Sequence, residues 1–128
     1  MNYIKGKDRE QLRIESIESY VDENSEVRVI DKIIDYIDIE SLGFTLGNNS
    51  ATGRAAYDPR DLLKLYVYGY LNGIRSSRKL AKQCVINREV IWLVKYTKPK
   101  YRVIADFRKD NIVALEHLFN FKLLFLLF

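Results

Sequence analysis

Residues that make covalent cross-links or hold metals are nearly absent from the sequence, which contains one cysteine, Cys84, and one histidine, His117. A single cysteine closes no intrachain disulfide, and one cysteine with one histidine builds no Cys/His metal cluster. That usage fits a reducing, cytoplasmic setting. The opening MNYIKGKDRE is polar and has no apolar stretch of signal-peptide length. The terminal FKLLFLLF is apolar but far too short to span a bilayer, so no membrane partner is expected. Internal repeats and low-complexity tracts are lacking, and no segment reads convincingly as a strand. Carboxylates are scarce in one half of the chain: residues 60–109 hold 3, Asp61, Glu89 and Asp106. Hydrolysis or phosphoryl transfer needs a base and an electrophilic aid in one pocket, and nothing here supplies both.

What the 128 residues do contain is 48% apolar side chains, enough for one domain with a buried core. The net charge of +4 hides an asymmetry. Residues 1–59 carry 7 basic and 12 acidic side chains (net −5), residues 60–109 carry 13 and 3 (net +10), and residues 110–128 carry 1 and 2 (net −1). A strongly basic block beside an acidic one predicts a face for a polyanion. A basic surface that only keeps the chain solvated is the competing reading.

The periodicity is helical. VRVIDKIIDYIDIESLGF, residues 27–44, reads as an amphipathic helix with Val29, Ile30, Ile33, Ile34 and Ile37 as its stripe. Asp31, Asp35 and Asp38 fall off that stripe and read as its solvated face. GFTLGNNSATGRAA, residues 43–56, reads as a flexible loop. Asp58 as cap, Pro59 at the first position and Asp61 in the first turn start a second helix, and Asn72-Gly73 ends it. Its predicted inner stripe is Leu62, Leu63, Tyr66, Val67 and Tyr70. Ser76 or Ser77 caps a third helix with Leu80, Ala81 and Cys84 inward. Asn87 caps a fourth, NREVIWLVKY, with Val90, Ile91 and Val94 inward. A longer last helix starts near Val103, with Asn111 interrupting its stripe. The expected fold is all-α, a small domain of four to five helices with a helix-turn-helix-like core.

Two groups of cations stand out. Arg75, Arg78, Lys79 and Lys82 gather on and before the third helix, where Ser76 and Ser77 at its N-terminus could also receive a phosphate. Lys95, Lys98, Lys100 and Arg102 interleave with Tyr96 and Tyr101 in KYTKPKYR, a pattern that can track a nucleic-acid backbone. Both groups also admit a plain surface reading. The nine tyrosines lack the activating partners a tyrosine nucleophile needs and read as packing.

YDPRDLLKLYVYGYLNGIRSSRKLAKQC, continued by NREVIWLVKYTKPKYRVIADFRKDN, resembles the N-terminal domain of insertion-sequence transposases of the IS5/IS1182 type. The resemblance covers roughly residues 5–118. It rests most on Asp58-Pro59-Arg60, Tyr68-Gly69-Tyr70, Arg75-Ser76-Ser77-Arg78 and Ile104-Ala105-Asp106-Phe107-Arg108. It implies a helical domain that recognises the terminal inverted repeats of the element in double-stranded DNA. In those relatives a separate RNase H-like domain carries a metal-binding DDE triad, whose first aspartate lies beyond the segment matching Asp106. Asp106 therefore inherits no catalytic role, and the resemblance implies a non-catalytic fragment with no metal or other cofactor. Val103 stands where the family usually has a capping threonine, VKYTKPK replaces a glycine-containing loop, and NFKLLFLLF departs from an amphipathic continuation.

The expected organisation is an N-terminal arm at 1–26, a DNA-binding helical domain at 27–119 and an apolar tail at 120–128. The expected DNA contacts are Arg75, Ser76, Ser77, Arg78, Lys79, Lys82, Lys98, Lys100, Arg102 and Arg108. The expected partners are the DNA, a second copy of the chain or full-length transposase, in the bacterial cytoplasm at the nucleoid. The alternative is a helical protein–protein or oligomerisation module that uses the tail.

Overall fold

The computed structural model describes residues 2–45 and 57–120. Among them all regular structure is helical: a 3-10 turn at Ile17–Tyr20, then α1 (Glu26–Tyr36), α2 (Pro59–Asn72), α3 (Ser77–Ile86), α4 (Arg88–Leu93), α5 (Tyr101–Asp110) and α6 (Ile112–Asn120). The all-α expectation holds, with one helix more than the sequence suggested.

The centre of the fold is α2. Asp58 accepts a hydrogen bond from the Arg60 backbone N–H at 2.9 Å, and Pro59 takes the first position, where no N–H is needed. At the other end Gly73 adopts a left-handed φ of 71°. Between these caps every residue from Asp61 to Gly69 is buried. The one-sided stripe expected here is therefore too narrow, because α1, α3, α4 and α5 all pack on α2, and a helix enclosed this way is covered on every side. Tyr70, expected inside, is instead 48% exposed and stacks on Phe119 of α6.

Helix α1 is shorter than the apolar pattern predicted. Ile37 turns to extended backbone and ends it, and Arg60 donates to the carbonyls of Ile34 and Ile37 that the helix leaves open. Ile39 and Phe44 are buried beyond the helix end, so the apolar residues continue while the helix does not. The inner face consists of Val27, Ile30 and Ile34, and Val29 is largely exposed.

The solvated reading of the α1 aspartates also needs correction. Lys64 of α2 is fully buried, and its ammonium lies 2.7 Å from Asp31 Oδ1 and 2.8 Å from Asp35 Oδ1. Burial alone would lower the pKa of Lys64, but the hydrogen bonds to Asp31 and Asp35 outweigh it and hold the pKa above the ordinary lysine value.

After Gly73 the chain turns into α3, capped by Ser76. Leu80 and Cys84 are fully buried on its inner face. Burial pushes the Cys84 thiol up to about 11, so it is a packing group and not a nucleophile at neutral pH. Asn87 ends α3 and begins α4: its side chain accepts from the N–H groups of Glu89 and Val90 and donates to the Tyr68 hydroxyl at 3.0 Å. Lys95 and Tyr96 follow α4 in left-handed backbone, with φ of 55° and 65°.

The single long last helix is two. Asn111, 4% exposed, divides α5 from α6; its carbonyl accepts from Thr45 N–H at 2.9 Å, and its amide donates to Phe107 O at 2.9 Å. The break thus ties the last helices to the segment after α1. Helix α5 starts at Tyr101 without a side-chain cap, so Val103 lies inside the helix and not at its cap. The 3-10 turn packs on α4. There Arg88 stacks on Tyr20, Tyr20 and Tyr96 share a hydroxyl hydrogen bond, and Trp92 donates to Glu18. Most of the expected glycine-rich loop (46–56) and the tail from 121 to 128 lie outside the described residues.

Candidate nucleic-acid interface

Packing of α3 against α5 brings the two predicted cation groups together. The joint is Arg78, whose guanidinium lies 4.0 Å from the centroid of the Tyr101 ring. The neighbouring Arg102, and after it the Arg78 charge, hold the Tyr101 phenol below the usual tyrosine range. The N-terminal end of α3 and the N-terminal end of α5 therefore meet with cations from both sides.

Each predicted contact residue has a definite place. Arg75, Ser76, Arg78, Lys79 and Lys82 are exposed around α3. Ser76 caps the helix by accepting from Lys79 N–H at 3.3 Å. Ser77 is half-buried at the start of α3, beside Tyr66. Tyr66 donates to Ile104 O at 2.7 Å, which ties α2 to α5. Lys98 and Lys100 are exposed on either side of a buried Pro99, and the Lys98 carbonyl accepts from the Tyr57 hydroxyl at 3.4 Å. Arg102 is exposed on α5. Arg108 lies further along α5 and shares with Arg75 a cleft of about 360 Å³ whose lining includes Tyr66, Tyr70, Glu116 and Phe119.

Among the described residues, Arg75, Arg78, Lys79, Lys82, Lys98, Lys100, Arg102 and Arg108 form no ion pair with a carboxylate. Other cations of the same block have partners elsewhere in the fold. Arg60 closes α1, Lys64 is buried on two aspartates, Arg88 lies on Tyr20 with Glu15 at 3.8 Å, and Lys95 approaches Asp61 at 3.7 Å. Asp61 Oδ1 is buried without a hydrogen-bond partner among the described residues; burial raises its pKa, while Lys95 works against that shift. The sequence signal for the Lys64 site was the four-residue spacing of Asp31 and Asp35, which places two carboxylates side by side on α1.

Nothing in this surface resembles a hydrolytic centre. Asp106 is exposed on α5, and no group of three His, Cys, Asp or Glu side chains among the described residues could hold a metal ion. No helix among them is long and apolar enough to cross a membrane. Tyr66 and Tyr68 are structural, bonded to Ile104 and to Asn87.

A family model described as "Transposase domain (DUF772)" matches residues 15–110. No curated protein and no solved structure matches the chain.

Proposed function

The chain belongs to the transposase-domain (DUF772) family, and from that premise we propose that it binds double-stranded DNA in transposition, recognising the terminal inverted repeats of an insertion element of the IS5/IS1182 type. The observation that carries this reading is the joined α3–α5 surface, where cations from two separate sequence clusters meet at the Arg78–Tyr101 stack and, among the described residues, form no ion pair with a carboxylate. DNA presents the complementary array of phosphates, and neutralising them releases counterions. In this reading α2, the turn at Gly73 and α3 act as a helix-turn-helix-like pair, with α3 toward the duplex and the Lys98–Arg102 segment on the adjacent backbone.

Strand cleavage and joining are supplied outside these residues, and the domain delivers the DNA ends to that chemistry. Titration of the chain against a duplex carrying the inverted repeat of its own element, with a scrambled duplex of equal length as control, tests the assignment. Tighter binding to the repeat is expected. Equal affinity for both duplexes would remove end recognition, and no binding to either would remove DNA binding altogether.

A further inference from the structure

The outward face of α3 is not uniformly basic. With 3.6 residues per turn, Arg78, Lys82 and Val85 fall in one row, and Lys79, Lys82 and Ile86 in the next. Leu80 and Cys84 occupy the opposite, fully buried face. Val85 and Ile86 are 55% and 59% exposed and belong to no part of the core. Single exposed apolar residues are ordinary on protein surfaces. Here two β-branched residues, which are weak helix formers, end both rows of a cationic face on a helix, SRKLAKQCVI, that has no carboxylate.

An anionic partner that also offers small apolar groups would satisfy both ends of that face. The major groove of DNA does so: phosphates line its edges, thymine C5-methyl groups project from its floor, and its width admits one α-helix. Resting on the DNA-binding reading above, we propose that α3 lies along the major groove and that Val85 and Ile86 read thymine methyls. Arg78, Lys79 and Lys82 hold the helix to the backbone and base edges. Val85 and Ile86 are then specificity residues, and thymine is preferred where the C-terminal end of α3 meets the floor. Helix α3 is fixed for this task by its packing on α2, α4 and α5.

The test uses the full chain and a duplex enriched by the chain itself from a random-sequence pool. That duplex is then synthesised with thymine and with uracil, which lacks only the methyl. Loss of one buried methyl contact is expected to weaken binding about three- to fourfold, and the Val85→Ala/Ile86→Ala variant should bind both duplexes equally. Lys82→Ala should weaken both duplexes by the same factor and leave the thymine preference intact. Val85→Thr, which keeps the branched shape, guards against a folding defect, and the thymine–uracil comparison on the unmodified chain needs no variant. Equal affinity of the unmodified chain for thymine and uracil duplexes would overturn the proposal while leaving DNA binding in place. Absence of duplex binding would overturn both. A dimer, seen by light scattering, that Val85→Ala/Ile86→Ala dissociates would assign this face to a second copy and also overturn it.

Discussion

Burying the Lys64 ammonium is tolerable because Asp31 and Asp35 both reach it from α1. A buried charge stripped of its partners is among the larger single penalties a fold can suffer, so Asp31→Asn combined with Asp35→Asn should cost about 3–5 kcal/mol of stability, measured by urea denaturation. Each single replacement should cost less, because the other carboxylate remains. The raised pKa of Lys64 fixes the pH dependence. Its contribution is fully present below the ordinary lysine pKa and is lost as pH rises through the higher folded value, so from neutral pH upward the variant's deficit should be flat and then shrink in strong alkali. At this scale the sequence is easily misread. An aspartate off an apolar stripe looks solvated, and only the approach of α2 shows that a lysine inside a run of apolar residues needs a counterion there.

At the scale of elements, the close seat of α3 on α2 depends on Gly69. A Cβ at that position would lie 2.5 Å from the Ile74 carbonyl oxygen and 2.8 Å from a Leu80 methyl. The Ile74 N–H is itself bonded to the Gly69 carbonyl at 2.8 Å, so the turn cannot simply move aside. Alanine is favoured over glycine in a helix by about 1 kcal/mol, but a clash with backbone outweighs that gain. Gly69→Ala should therefore destabilise the chain by about 1–3 kcal/mol, a loss readable as a lower denaturation midpoint. A midpoint at or above that of the unmodified chain would mean that α3 is not held as described. Helix starts were legible because capping is local: Asp58-Pro59, Ser76 and Asn87 all act where their chemistry placed them. Helix ends were less so. The α1 pattern runs on past Tyr36 because Ile39 and Phe44 are buried in turns, and the break at Asn111 depends on Thr45, a residue distant in sequence. The burial of Ile39 and Phe44 leaves no helical trace to mark the end of α1, and at Asn111 the one sign is a polar residue in an apolar stripe.

Across the whole molecule, the charge asymmetry was visible in the sequence, but its division of labour was not. The basic block supplies both the internal ties of the fold, through Arg60 and Lys64, and a surface free of carboxylate ion pairs that spans α3 and α5. Composition counts these cations alike; the fold separates them, because only those facing away from α1 and the N-terminal turn are left to meet a polyanion. The central claim is that this surface binds DNA through its phosphates. The most direct measurement is the slope of log affinity against log salt for a duplex, comparing the unmodified chain with Arg78→Ala/Lys82→Ala. A steep negative slope, flattened in the variant by roughly one to two units together with weaker binding, is the predicted result. Unchanged slope and affinity in the variant would contradict it.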